Sequence, residues 1–247
     1  MKNEKLRLNK YIASTGYCSR RKADELIEAG MVSVNGKKVT ELGFSVTLSD
    51  KVCIQNQLIK PQTLTYIRYY KPAGYITTME DEKGRKTIYD ILPEEVQNLK
   101  PVGRLDKDST GLLILTNDGD FINELTHPAI KVPKVYRVVA QGKLNLNDLT
   151  VMEKGIEIEK GQTAYALARI VEFEDKNTVL EMVLYQGLNR QIRKMLDYLG
   201  HPVIYLKRLS MGPVDLQGLY KGQFKYLKPK QIQEIKNYIK KLKKSAS

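Results

Sequence analysis

A change in hydrophobic pattern near residue 65 is the feature that most constrains how this chain can fold. Before that point, apolar residues follow helical spacing, as in Leu8, Tyr11 and Ile12 at i, i+3 and i+4. After it, short β-branched and aromatic runs recur between turns, among them TYIRYY, GYITT, LLILT, VYRVVAQG, ALARIVEF and TVLEMVLY. In a chain of 247 residues, this change favours a small domain followed by a larger, sheet-rich one.

Residues 1–54 are predicted to form the small domain, built from two helices and a hairpin. Ser19 is a good N-cap for the second helix, and Gly30 is typical of a helix end. The following MVSVNGKKV alternates apolar and polar residues around Asn35-Gly36, a strong signal for a two-residue hairpin turn.

Residues 55–64 are polar, contain Pro61 and are predicted to be a linker. The second predicted domain, residues 65–247, combines the short strands with helices near 121–126, 145–153 and 190–199. Its last segment, from Lys230 to Lys244, places four aliphatic residues on one stripe among lysines, as in a basic amphipathic helix. The fold class is therefore α+β, with a mixed, mainly antiparallel sheet and flanking helices.

The net charge of +13 is concentrated at the two ends of the chain. Residues 1–60 hold 11 Lys/Arg against 6 Asp/Glu, and residues 221–247 hold 9 against 1, whereas residues 61–220 hold 21 of each. Such a distribution suits a polyanion gripped by flanking modules. The basic charge alone is equally consistent with a role in solubility or with binding to an acidic membrane surface.

Several functional classes are disfavoured by what the sequence lacks. The segment Met1 to Lys10 has no apolar core of a secretory signal, and no run approaches the length of a membrane helix. Cys18 and Cys53 are too few for a disulfide framework, and with two distant histidines they form no zinc signature. We therefore expect a reduced, cytoplasmic protein without a metal site.

Cationic residues of the N-terminal region are grouped. Arg20, Arg21 and Lys22 occupy the first turn of the second predicted helix, where cations oppose the helix dipole. Three cations at this unfavourable position suggest that they contact phosphates. For any one of them, a position on a solvent-exposed helix face is an equally good explanation. The predicted RNA-binding cations of this region are Lys10, Arg20, Arg21, Lys22, Lys37 and Lys38.

The stretch RLNKYIASTGYCSRRKADELIEAGMVSVNGKKV resembles the S4-like RNA-binding module, over residues 6–52. This module occurs in a small-subunit ribosomal protein and in several RNA-modifying enzymes. The resemblance implies RNA binding and by itself says nothing about catalysis.

The densest signal in the second region is PVGRLDKDSTGLLILTNDGD. Asp106 lies between Arg104 and Lys107, and nearby cations keep a carboxylate ionised and able to attack carbon or accept a proton. For an arbitrary Asp beside an Arg, a structural salt bridge at a turn is the commoner explanation. Residue types alone therefore leave both interpretations open.

The segments KPAG, GRLDKDSTGLL, KVYRV and GLNRQIRKM, in this order, resemble the RsuA-type pseudouridine synthases, which modify ribosomal RNA. With the S4-like module, the resemblance covers nearly the whole chain. The segments GLNRQIRKM and GRLDKDSTGLL are more similar to members that act on large-subunit RNA. The resemblance implies isomerisation of uridine to pseudouridine in ribosomal RNA or a pre-ribosomal particle, with no cofactor. We expect a monomer.

Functional residues follow from this resemblance position by position. It implies that Asp106 is the catalytic carboxylate, that Arg104 contacts RNA where the base has left the stack, and that Tyr136 stacks on the base. Arg193 corresponds to the basic residue that pairs with the catalytic aspartate. Further predicted residues are Lys134 in the substrate pocket, two residues before Tyr136 and on the same sheet face, and Arg190 and Lys194 as phosphate contacts.

Two other functions compete with this one. A non-catalytic ribosome-assembly factor would use the same RNA-binding module, but a carboxylate beside RNA phosphates would repel its ligand. A membrane-surface protein would use the basic C-terminal helix, yet that helix has no Trp or Phe on its apolar stripe.

Overall fold

The computed structural model describes residues 5–245, so the outermost parts of the two predicted domains, residues 1–4 and 246–247, lie outside the described residues. Contacts divide the chain into two packed units. The described residues up to Thr65 form the first unit together with Asn117–Gly119, and Tyr66–Thr116 forms the second with the described residues from Asp120 onwards.

The first unit contains two helices and two small sheets. Its elements are β1 (Leu6–Arg7), α1 (Leu8–Ser14), α2 (Arg20–Glu28), β2 (Val32–Val34), β3 (Lys37–Val39), β4 (Ser45–Val46), β5 (Val52–Ile54) and β6 (Gln57–Ile59). Strands pair in the order β3-β2-β5-β6, and β1 pairs with β4. Both helices bury their apolar faces in one core with these strands.

Local sequence explains these elements. The Ser19 side chain accepts a hydrogen bond from the Lys22 backbone N–H, as predicted for an N-cap, and Gly30 follows the helix with φ of +67°. Asn35 and Gly36 both adopt positive φ, which is the geometry of the type I′ turn that joins β2 to β3. The predicted helix pair and hairpin are confirmed.

The predicted linker at 55–64 is wrong over its first half, because β6 forms there and extends the sheet of the first unit. Gln55 and Asn56 take left-handed conformations, with φ of 48° and 67°, and turn the chain back onto β5. Ile59 is buried in the same core. The polar composition that suggested a linker belongs to a turn and to an exposed strand edge.

The second unit contains the remaining elements. Its strands are β7 (Tyr66–Lys71), β8 (Lys100–Pro101), β9 (Thr110–Thr116), β10 (Lys134–Gln141), β11 (Ile156–Glu159), β12 (Gln162–Ala164), β13 (Leu167–Glu174), β14 (Asn177–Leu184), β15 (Val203–Met211), β16 (Val214–Asp215) and β17 (Phe224–Tyr226). Its α-helices are α3 (Gly119–Thr126), α4 (Leu146–Lys154), α5 (Gln191–Tyr198) and α6 (Pro229–Ser245). Short 3-10 helices cover Ile88–Asp90, Glu94–Val96 and Pro128–Ile130.

One large sheet, in the order β13-β14-β10-β15-β9-β7-β17, forms the centre of this unit. Every pair in that order is antiparallel except β15 with β9, which is parallel. The predicted mixed, mainly antiparallel sheet is confirmed. At the parallel junction Gly111 has φ of +109°, and a Cβ there would lie 2.2 Å from the Arg208 carbonyl oxygen, so only glycine permits this approach.

Three apolar clusters stabilise the sheet. The first packs α4 and α5 against β10 and β14, and the second packs α3 and α6 against β9 and neighbouring strands. The third covers β7 and β9 with the chain between Ile88 and Leu99. Within the predicted C-terminal helix, Ile235 and Ile239 are buried and Ile232 and Leu242 pack beside them, which confirms the amphipathic prediction.

Two features of this unit differ from the prediction. The GYITT run forms only one isolated bridge, between Ile76 and Thr87, because its backbone and side chains bond to the loop that carries Asp106. The longest strand, β15, was not predicted, since Lys207 and Arg208 interrupt its apolar alternation.

Candidate active site

A cavity of about 760 Å³ opens in the second unit, within the usual size of small-molecule sites. Its floor consists of β10 and β15, and its walls are the loop 103–109, the segment 125–132 and the loop 185–190. Six of the predicted site residues line it, namely Arg104, Asp106, Lys134, Tyr136, Arg190 and Arg193. Residues far apart in sequence therefore meet at one place.

Asp106 lies half-buried on the loop that leads into β9. Lys71, which is 0% exposed at the end of β7, holds this loop from behind. Its Nζ donates to the carbonyl oxygens of Ser109 at 2.8 Å, Pro72 at 3.0 Å and Asp106 at 3.1 Å. Burial lowers the pKa of Lys71 to about 8, and the negative charge of Asp106 opposes that shift.

The KPAG segment and the GYITT run that overlaps it at Gly74 contribute further hydrogen bonds to the same loop. Gly74 donates its backbone N–H to the Lys107 carbonyl at 2.8 Å, and Thr77 Oγ1 donates to the Leu105 carbonyl at 2.9 Å. The Leu105 N–H is bonded to Thr77 Oγ1 in turn. The segment from Lys71 to Thr77 is therefore the scaffold of the Asp106 loop.

Tyr136 and Lys134 stand on the cavity side of β10, as the two-residue spacing predicts. Tyr136 is 8% exposed, so it has both core contacts and a face on the cavity. Lys134 Nζ donates to the Val132 carbonyl at 3.0 Å. Burial lowers the pKa of Lys134 to about 8, and the positive charge of Arg208 adds to the shift.

Arg193 reaches the Asp106 loop, but not through the carboxylate. Its guanidinium donates to the carbonyl oxygens of Val203 at 3.3 Å and Asp108 at 3.5 Å. Within residues 5–245, the structure forms no ion pair between Arg193 and Asp106 at 4.0 Å or less, so the implied pair is absent here. Two backbone carbonyls take up the donors instead, and Arg193 Nε stays buried without a partner.

The two remaining predicted cations of this unit differ from each other. Arg190 is exposed at the cavity rim and precedes α5 in a left-handed conformation, with φ of 51°. Lys194 does not line the cavity, because its ammonium pairs with Glu159. Its prediction as a phosphate contact therefore competes with an intramolecular ion pair.

Four residues of this site were missed by sequence reasoning, namely Lys71, Ser109, Gln191 and Arg208. Gln191 is buried and bonds to the Tyr165 carbonyl and the Leu188 N–H, which fixes the 185–190 wall. Had β15 been predicted, Lys207 and Arg208 would have been expected on opposite faces of the sheet, because neighbouring side chains in a strand alternate.

Among the predicted cations of the first unit, Arg20, Arg21, Lys22, Lys37 and Lys38 are exposed and Lys10 is half-buried. Lys22 forms an ion pair with Glu25 at 2.7 Å, one turn further along α2. The described helices include none that is long and apolar enough to cross a membrane. Residues 5–245 also contain no cluster of three His, Cys, Asp or Glu that could hold a metal.

Comparison with known proteins identifies the chain's family. Residues 65–198 match the family model for RNA pseudouridylate synthase, and residues 6–52 match that of the S4 domain. The chain belongs to the RNA pseudouridine synthase family. The match places Asp106, Tyr136 and Arg193 inside the family region, and it confirms the predicted S4-like module and RsuA-type enzyme.

Individual relatives in this family match along nearly the whole chain. Ribosomal large subunit pseudouridine synthase B of Bacillus subtilis is 40% identical over 232 residues, covering 93% of this chain and 95% of the relative. Dual-specificity RNA pseudouridine synthase RluF of Escherichia coli is 37% identical over 225 residues, covering 90% of this chain and 75% of the relative. A crystal structure of a pseudouridylate synthase superposes with a TM-score of 0.66 at 26% identity, covering 93% and 99%. This chain is thus an enzyme that isomerises uridine in RNA.

Proposed function

We propose that this pseudouridine synthase modifies ribosomal RNA of the large subunit, with Asp106 as its essential carboxylate. The observation that carries the assignment of Asp106 is its position in a cavity of about 760 Å³ that Tyr136 also lines, on a loop held by the buried Lys71. The choice of large-subunit RNA is supported by the B. subtilis relative, whose name gives that substrate.

The cavity suggests a role for each residue. The reaction breaks the bond between ribose C1′ and uracil N1 and rejoins the base through its C5, so a carboxylate near C1′ or C2′ serves as nucleophile or base. The ring of Tyr136 would stack on the uracil, with Lys134 beside it. Arg104, exposed at the rim, would contact the RNA that the flipped nucleotide has left, and Arg190 and Arg193 would bind its flanks.

A division of labour between the two regions follows. We propose that residues 1–54, extended by β6, bind RNA through Lys10, Arg20, Arg21, Lys22, Lys37 and Lys38, and that residues 65–247 carry out the reaction. Lys194, in the second region, would contact RNA phosphates only after its ion pair with Glu159 has broken. Since bacterial ribosomes are assembled in the cytoplasm, the proposal places the enzyme there, acting as a monomer on rRNA or a pre-ribosomal particle.

Substitution of Asp106 tests the catalytic assignment. Asp106→Asn keeps the size of the side chain and removes the charge, and we expect pseudouridine formation on rRNA to fall by at least about 10²-fold. Asp108→Asn is the matched control, because Asp108 lies on the same loop with an exposed side chain that does not line the cavity. Retained turnover by the Asp106→Asn protein would refute the assignment.

Mapping pseudouridines in a deletion strain tests the substrate. We expect loss of pseudouridine at one or more positions of large-subunit rRNA, restored by the wild-type gene and not by the Asp106→Asn variant. Loss confined to small-subunit rRNA, or to RNA outside the ribosome, would contradict the proposed substrate while leaving the enzyme class intact.

A further inference from the structure

Unpartnered polar atoms are concentrated in the cavity. Within residues 5–245, four buried side-chain nitrogen or oxygen atoms have no hydrogen-bond partner: Tyr69 Oη, Ser109 Oγ, Arg193 Nε and Arg208 Nη2. Three of the four belong to residues that line the cavity, Tyr69 being the exception. Because folded proteins satisfy nearly all buried polar groups, such a cluster indicates that a ligand completes the bonding.

Of the three residues, Arg208 is the more deeply buried of the two arginines. It is 2% exposed in the cavity floor, where it stands in register with Tyr136 across β10 and β15. Its Nε donates to the Leu112 carbonyl at 2.7 Å, which anchors one edge of the guanidinium. The close approach of β9 at Gly111 fixes the backbone of Arg208 as well. The side chain is therefore held rigidly while an N–H remains unused.

The chemistry of arginine narrows the choice of ligand atom. A guanidinium donates and never accepts, so its partner must be an acceptor such as a carbonyl or a phosphate oxygen. Phosphates of a flipped nucleotide stay with the RNA chain at the rim, where the exposed Arg104 and Arg190 lie. The floor beside Tyr136 is instead where the base would rest, and uracil presents two carbonyl oxygens.

We infer that Arg208 donates a hydrogen bond to a carbonyl oxygen of the target uracil and thereby helps to select and orient the base. This inference rests on the proposed function of the cavity. Neither the family match nor the motif segments of the sequence drew attention to Arg208. The inferred hydrogen bond would make Arg208 a substrate-binding residue, and it lies on β15, a strand that was not predicted from the sequence.

Atomic substitution in the RNA tests this contact. Single-turnover rates are measured on a synthetic RNA fragment carrying the mapped target as uridine, 2-thiouridine or 4-thiouridine, because sulfur is a poor acceptor. A hydrogen bond to a charged donor contributes about 1.5–3 kcal/mol, so Arg208→Gln should slow the uridine reaction about 10- to 100-fold. The wild-type enzyme should slow comparably on one of the two thio substrates, and on that substrate Arg208→Gln should cause little additional loss.

The matched control is Arg137→Gln, an identical change on the neighbouring strand. Arg137 follows Tyr136, pairs with Glu172 at 2.6 Å and does not line the cavity, so its loss should leave the rates nearly unchanged. Thermal denaturation of both variants checks folding. If Arg208→Gln does not fold, the wild-type enzyme on the two thio substrates decides the question.

Three results would overturn the inference. One is a wild-type enzyme that is equally fast on all three RNAs. Another is that the rate losses caused by Arg208→Gln and by the sulfur substitution add fully, for 2-thiouridine and for 4-thiouridine alike. The third is an Arg208→Gln variant whose RNA affinity loses about one unit of salt slope, because that would mark a phosphate contact. Failure of the wild-type enzyme to convert the uridine RNA would instead count against the proposed function.

Discussion

Replacing Lys71 with Met tests how the Asp106 loop is stabilised. Methionine has a similar length and no donor, so the substitution leaves the carbonyl oxygens of Ser109, Pro72 and Asp106 without their shared partner. Those three bonds, at 2.8–3.1 Å from a charged donor, contribute on the order of 4–9 kcal/mol together.

Removing the ammonium also relieves the cost of burying it. Burial lowers the pKa of Lys71 from 10.5 to about 8, which corresponds to about 3 kcal/mol. The hydrogen bonds outweigh this penalty, and we expect Lys71→Met to lower the free energy of unfolding by about 1–6 kcal/mol. Because the loop carries Asp106, the rate of pseudouridine formation should fall as well.

Urea denaturation at pH 7 measures this loss. The matched control is Lys207→Met. The Lys207 ammonium lies 4.9 Å from the Tyr70 ring centre, a cation–π contact that contributes about 0.5–1 kcal/mol. A Lys71→Met protein within about 0.5 kcal/mol of wild type would refute the argument that Lys71 anchors the loop.

The difference in unfolding free energy between the wild-type protein and Lys71→Met should change with pH in a defined direction. Between pH 8 and 10.5 the unfolded chain keeps the Lys71 proton while the folded protein releases it, so the unfolded state binds more protons and wild-type stability rises with pH. Below about pH 8 both states are protonated and this contribution is constant. The deficit of Lys71→Met should therefore widen by up to about 2 kcal/mol from pH 8 to 9.5. A constant or shrinking deficit would contradict the lowered pKa.

Three further outcomes are expected. Tyr136→Phe should retain more pseudouridine formation than Tyr136→Ala, and equal rates would argue against stacking on the base. Replacing both Arg21 and Lys37 with Gln should reduce the slope of log K for rRNA binding against log[salt] by about 1–2, whereas an unchanged slope would show that neither contacts a phosphate. Gly111→Ala should destabilise the protein by several kcal/mol in urea denaturation, because a Cβ cannot be placed 2.2 Å from the Arg208 carbonyl oxygen; a wild-type midpoint would contradict this close approach of β9 to β15.

Much of the first unit follows from local sequence. Ser19, Gly30 and the Asn35-Gly36 pair determine where helices and turns begin and end, because capping and positive φ act over a few residues. The linker prediction failed at β6 because the buried contact of Ile59 with the rest of the core is not visible in a polar stretch.

In the second unit, the motif segments identified the family and the residues around Asp106, Tyr136 and Arg193. The motif segments could not show which groups the site side chains bond to. Arg193 bonds to backbone carbonyls and forms no ion pair with Asp106, and Lys194 pairs with Glu159. Ion pairs and hydrogen bonds depend on distances of a few tenths of an ångström, which residue order does not fix.

The sequence by itself therefore determined the two-part α+β fold and the class of enzyme, and it singled out Asp106 as the proposed catalytic carboxylate. Only the tertiary structure decided what surrounds that carboxylate. Lys71 reaches the Asp106 loop across 35 residues, and Arg208 enters the cavity floor from a strand about 100 residues away from it. Long-range sheet pairing brings these cations together, and their roles follow from burial and from which of their donors remain unused.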